Sequence, residues 1–140
     1  MGTRFLATPE ANAHTVYKEK LVAVSEEGTV CTILFGNGWP NAAHRVLRRG
    51  LVEPWLPHEA QTQASYADAL PIGETVIGRM MMPLLFAALA SNAAAKGDVE
   101  SMGLYAGQSV GLVNDIRPAE EIVRGMMAEA KRIIEKLRSS

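Results

Sequence analysis

Two short stretches of this sequence carry residue types suited to holding a ligand. In the first, Met1-Gly2-Thr3, the glycine lets a ligand come close to a backbone N–H because it has no Cβ, and the threonine adds a hydroxyl donor beside its own amide. Arg4-Phe5-Leu6-Ala7 reads as a strand or strand exit. Thr8-Pro9-Glu10 then reads as a helix start, with Thr8 as N-cap and Pro9 at the first helical position. A strand tip offering amides next to a helix N-terminus is a way to hold a phosphate. A single glycine is a much sparser signal than a glycine-rich fingerprint, and a Gly-Thr pair equally suits a frayed chain end. The second stretch is Tyr105-Ala106-Gly107-Gln108-Ser109. Gly107 and Gly111 predict unusual backbone angles that put residues 105–109 on a turn; the alternative is that they only cap a helix and leave Gln108 solvated. Elsewhere the chemistry is thin. Three histidines and no paired acid and base make a self-contained active site hard to assemble, so no catalytic residue is assigned. His14 reads as a core or capping histidine. Cys31, near Val30 and Ile33, reads as a buried small hydrophobe, and with no second Cys or His at ligand spacing no metal site is expected.

The elements that must position these stretches follow from periodicity and punctuation. The helix opened by Thr8 carries Ala13, Tyr17, Leu21 and Val24 on one face and stops by Gly28. Residues 29–35 are rich in β-branched and aromatic types and predict a strand, ended by the turn Gly36-Asn37-Gly38-Trp39-Pro40. Asn41 is expected to cap a short helix over 42–49 that Gly50 stops, with the basic cluster His44-Arg45-Val46-Leu47-Arg48-Arg49 as its solvated face. Residues 51–57, with Pro54 and Pro57, should run extended. Residues 58–70 read as a modest helix, Thr75-Val76-Ile77 as a short strand, and the Ala- and Leu-rich run 83–96 as a helix ending at Gly97. Asp98 is a suitable N-cap for a helix through Met102 and Tyr105. The clearest element spans 118–138, where Ala119, Ile122, Val123, Met126, Ala130, Ile133, Ile134 and Leu137 recur at helical spacing. Glu120 and Glu121 begin it while Lys136 and Arg138 end it, which matches the helix dipole. Its stripe is expected to be core, so that Ile133→Asp should disrupt folding. The expected class is mainly α with a few short strands, α+β.

The run Met1 to Lys20, with Met-Gly-Thr-Arg-Phe followed by Asn12-Ala13-His14, resembles the end of the flavin-binding barrel in nitronate monooxygenases, formerly called 2-nitropropane dioxygenases. A second ordered block agrees: Gly97-Asp98, then Ala106-Gly107-Gln108, then Gly111-Leu112 and a terminal helix are similar to that family's pattern. The resemblance implies the C-terminal portion of an FMN-binding TIM (β/α)8 barrel plus its small helical second domain. Most of the barrel would be absent, since a complete one takes roughly 250 residues. It divides the chain into residues 1–28, the last barrel strand and helix; 29–97, the second-domain insertion; and 98–140, the return to the barrel. By the same resemblance Met1, Gly2 and Thr3 would contact the FMN phosphate, although the Gln that precedes them in the family motif has no counterpart. Tyr105, Gln108 and Ser109 would lie on the substrate side. The family's catalytic histidine precedes this stretch, and the motif around His14 is a different one. An internal Met taken as a start would explain the missing chemistry.

The implied activity is FMN-dependent oxidation of alkyl nitronates with O2, the isolated chain being inactive. Flavin-dependent enoyl-acyl-carrier-protein reductases share Met-Gly-Thr-Arg-Phe, Asn-Ala-His and Ala-Gly-Gln, and form the alternative; Tyr105 and residues 97–102 favour the monooxygenase. A reading of another class is a non-catalytic helical module that associates with a partner. Composition bounds all three. With 140 residues, 48% hydrophobic and 21% charged, the chain is globular in composition. A net charge of −1, from 14 basic and 15 acidic residues, offers no field for nucleic acid or an anionic membrane. The longest apolar run, 80–90, is interrupted by Pro83 and falls short of the ~20 residues of a membrane span. The start lacks a secretory pattern and Cys31 is the only cysteine, which together suit a cytoplasmic enzyme or enzyme piece. A second copy or a companion chain carrying the barrel is the expected protein partner.

Overall fold

The computed structural model describes residues 1–62, 72–77, 80–83 and 87–139. The chain opens with a short helix, α1 (Gly2–Leu6), where a strand was expected. Arg4 and Phe5 both donate to the Met1 carbonyl at 3.0 and 3.3 Å, and of its five residues only Arg4 and Leu6 are strong helix formers, so the turn rests on these bonds more than on propensity. Thr8 does not cap a helix: its hydroxyl donates back to the Phe5 carbonyl at 2.9 Å. The next helix, α2 (Thr15–Val22), begins later, where His14 Nδ1 accepts the Val16 N–H at 3.2 Å. His14 is thus a capping histidine. α2 buries Tyr17 and Leu21.

Strand β1 (Thr29–Thr32) pairs antiparallel with β2 (His44–Leu47), Thr29 opposite Leu47 and Thr32 opposite His44. The basic cluster is therefore a strand and not the expected helix. Asn41 at φ 61 and Gly38 at φ 92 bend the chain back onto β1, whose long-range bonds outweigh the local helical preference. Along β1 the pleat buries Thr32 and leaves Cys31 exposed, which corrects the expectation of a buried thiol. Residues 51–57 are not extended: Val52–Trp55 forms α3, with Pro54 in the first turn where a missing N–H leaves no bond unmade. α4 (Glu59–Thr62) follows, and the rest of the helix expected over 58–70 lies outside the described residues.

A three-stranded antiparallel sheet has β3 (Gly73–Ile77) between β4 (Met80–Pro83) and β5 (Lys96–Gly97). The strand expected at 75–77 is present. The helix expected over 83–96 is not, since Pro83 ends β4 and residues 87–95 are irregular. Polar groups compete with helix here: the Asn92 carboxamide oxygen accepts both the Thr75 hydroxyl at 2.6 Å and the Ala94 N–H at 2.9 Å. Gly97 sits at φ 98 so close to β3 that a Cβ would lie 2.6 Å from the Ile72 carbonyl oxygen. Asp98 caps as expected, accepting the Ser101 N–H at 3.3 Å, but the helix it starts is a single 3-10 turn, Val99–Ser101.

The main core gathers Tyr17 and Leu21 of α2, Leu47 of β2, and Met102, Leu104, Val110 and Val113. A smaller cluster holds Leu34, Phe35, Val46 and Val52. The terminal helix α5 (Ala119–Arg138) forms as expected, yet its stripe is not core. Only Ile122 is buried, while Ile133, Ile134 and Leu137 are 48%, 57% and 72% exposed. Amphipathic spacing predicts an apolar face but not what covers it. The helix is tied to the body at its start, where the Glu10 carboxylate accepts the Ala119 N–H at 3.1 and 3.2 Å. Arg4 holds the preceding segment through the Asp115 carbonyl at 2.7 Å and carboxylate at 2.8 Å. Among the described residues there is no closed barrel, and no helix is long and apolar enough to cross a membrane.

Candidate functional site

Residues 104–106 run antiparallel beside β2 and join it through one isolated bridge, Tyr105 opposite Val46. Leu47 N–H donates to the Leu104 carbonyl at 2.8 Å, and Ala106 N–H to the Arg45 carbonyl at 3.1 Å. From α2, the Tyr17 hydroxyl donates to the Tyr105 carbonyl. From α1, the Thr3 Oγ1 accepts the Gly107 N–H at 2.9 Å. Three separate elements thus fix the backbone of residues 105–107. Between them lies an open cavity of about 420 Å³, lined by Gly2, Thr3, Leu6, Tyr17, Arg45, Ala90, Tyr105, Ala106 and Gly107.

The donor set suits an anion. Gly2 and Thr3 supply the leading amides of α1, which have no acceptor within the helix. Thr3 accepts from Gly107 with a hydroxyl oxygen, so its O–H hydrogen remains to donate. A Cβ on Gly2 would meet nothing within 4 Å, so the space beside its amide is open, whereas one on Gly107 would come within 3.3 Å of the Thr3 Oγ1. These residues fit the phosphate of a flavin mononucleotide. The two glycines of the second stretch do not use left-handed backbone, contrary to expectation: Gly107 has φ −68 and neither it nor Gly111 is among the positive-φ glycines. Gly111 is needed for closeness, since a Cβ would lie 2.8 Å from the Glu26 amide nitrogen.

Of the six residues singled out from the sequence, Gly2, Thr3 and Tyr105 meet at the cavity. Met1 is exposed and does not line it, and Gln108 and Ser109 are exposed on the 3-10 turn Gln108–Leu112 just beyond. Two further residues were missed. Tyr17 was read only as a core position of α2, and no local signal says that its hydroxyl reaches residue 105. Arg45 was placed on a solvated helix face, and only its pairing in β2 brings it to the cavity.

Burial pushes the Tyr105 phenol up to about 12, and raises Tyr17 further, through burial first and then its neighbour Tyr105. Near neutral pH both are protonated donors and not bases. The Tyr105 hydroxyl is 3.5 Å from the Ala87 carbonyl oxygen, long for an O–H···O bond, so that contact holds it weakly. The edges of Phe35 and His44 support its ring at 6.3 and 5.3 Å between centroids. His44 Nε2 is buried without a hydrogen-bond partner among the described residues. Among the described residues no group of three His, Cys, Asp or Glu is placed to hold a metal ion. The arrangement can bind and orient a ligand through backbone amides and protonated hydroxyls.

A sequence model of the nitronate monooxygenase family matches residues 1–129. Among solved structures, FabK from Thermotoga maritima is similar with a TM-score of 0.63 and 31% identity, over 99% of this chain and 38% of that one. A methionine-to-alanine variant of the same protein gives a TM-score of 0.59 and 28% identity, over 99% of this chain and 35% of that one. The chain therefore spans little more than a third of the length of these structures.

Proposed function

Because the chain belongs to the nitronate monooxygenase family, we propose that it supplies the flavin-phosphate and substrate-side contacts of an FMN-dependent enzyme that oxidises alkyl nitronates with O2. The family is one of flavin oxidoreductases. The observation that carries the reading is the bond from Gly107 N–H to Thr3 Oγ1, which joins the two stretches singled out from the sequence at one cavity. In this proposal the amides of Gly2 and Thr3 and the Thr3 hydroxyl hold the phosphate, with the Met1 backbone alongside. Tyr105 offers a neutral hydroxyl on the substrate side, and Gln108 and Ser109 continue that wall in the complete protein. Bound FMN supplies the electron and oxygen chemistry; the protein binds, orients and excludes water. The catalytic residues lie in the preceding barrel portion, supplied by the same polypeptide or a companion, in a cytoplasmic enzyme. Residues 1–28 and 98–140 belong to the barrel and 29–97 to the second domain.

A second reading, the flavin-dependent enoyl-acyl-carrier-protein reductase, is supported by the similarity to FabK. Turnover by the protein completed with a barrel portion separates the two: O2 consumption with an alkyl nitronate supports the first, and NAD(P)H oxidation with an enoyl thioester the second. The binding role is tested by titrating FMN and following its fluorescence. Charge-assisted hydrogen bonds contribute about 1.5 to 3 kcal/mol each, so a few fall short of the ~8 kcal/mol of micromolar binding once association costs are subtracted. The chain alone should bind FMN more weakly than micromolar, and the completed protein tightly, with Thr3→Val weakening it. Micromolar binding by the chain alone, lost in Thr3→Val, would overturn the division of the site between two portions.

A further inference from the structure

We propose that Arg45 is the counter-charge for an oxyanion bound in the cavity between α1 and residues 105–107. Among the described residues Arg45 is the one charged residue among those lining this cavity. It is half-buried, and among the described residues no carboxylate pairs with it, although Arg4, Lys20, Arg48, Arg117 and Arg124 all have carboxylate partners. Among the described residues its side chain bonds from Nη1 to the Thr29 hydroxyl at 3.3 Å, and none of its nitrogens is buried without a partner, so the other guanidinium donors face solvent. Those solvent-facing donors keep the charge available to an arriving anion. Its backbone is fixed beside the cavity, because the Arg45 carbonyl accepts from Ala106 and its Cα is paired with Cys31. The guanidinium presents parallel N–H donors to a pair of ligand oxygens.

The oxyanion can be the flavin phosphate or a nitronate group of the substrate; this choice rests on the flavin reading, and the presence of an anion site does not. The first arm needs no flavin. Inorganic phosphate is titrated into the 140-residue chain, and the amide resonance of Gly107 and the Nε resonance of Arg45 are followed by NMR. Saturable shifts at both are expected, with the dissociation constant raised at least about tenfold in Arg45→Gln and partly restored in Arg45→Lys. The Arg45 Nε shift in the parent chain needs no variant to fold. Absence of saturable shifts in the parent, or equal affinity in Arg45→Gln, overturns the proposal. The second arm uses the protein completed with a barrel portion. If Arg45→Gln weakens FMN but not riboflavin, the anion is the flavin phosphate; if it weakens neither while the first arm holds, the site serves the substrate. Failure of the completed protein to bind any flavin would refute the proposed function and leave the phosphate titration to be judged by itself.

Discussion

Replacing Tyr17 by phenylalanine removes one hydroxyl from a side chain with 0% exposure and leaves its ring packing in place. The consequence falls on the Tyr105 carbonyl, which loses the donor it receives from α2. A buried group left unsatisfied costs about 1 to 3 kcal/mol. The neighbouring backbone bonds, Leu47 to Leu104 at 2.8 Å and Ala106 to Arg45 at 3.1 Å, keep the strand in register, so the fold should survive. At roughly 4 °C per kcal/mol for a chain of this size, the thermal midpoint should fall by roughly 4 to 12 °C. Tyr105→Phe is the internal comparison, because its hydroxyl is 3.5 Å from the Ala87 carbonyl oxygen and gives up little. Differential scanning calorimetry of both variants checks the order. A midpoint for Tyr17→Phe equal to the parent's, or a larger loss for Tyr105→Phe, would show that α2 does not hold the cavity strand through this hydroxyl.

Exposure on α5 reverses the expectation drawn from its spacing: Ile133→Asp, at a 48% exposed position, should shift stability by no more than about 0.5 kcal/mol. Ile122→Asp, at 6% exposure, should unfold the chain or render it insoluble, and equal loss in both variants by thermal melting would refute this packing. The Arg117 guanidinium first, and then Arg4, holds the Asp115 carboxyl below its ordinary value of 3.8. A lowered native value means that the contribution is complete above the ordinary value and is lost as pH falls through the lowered one. Thermal midpoints measured on acidification below about pH 4 should therefore fall more steeply in the parent than in Asp115→Asn, and parallel curves would refute the tie.

The sequence by itself was enough to recognise the family, because two ordered blocks of small and polar residues, around Gly2-Thr3 and Ala106-Gly107-Gln108, do not depend on the folded partners. Signals that act within a few residues were also legible: the Asp98 cap, the strand at Thr75-Val76-Ile77 and the terminal helix all rest on local hydrogen bonds or local periodicity. What needed the tertiary structure is whatever depends on a distant partner. Residues 44–47 are a strand because β1 lies beside them, and that pairing turns Arg45 from a solvated charge into a cavity wall. Tyr17 meets residue 105, and Thr3 residue 107, across separations that no local pattern encodes. The apolar stripe of α5 shows the same limit, since periodicity specifies which residues share a face, and burial is decided by what the rest of the fold places against it.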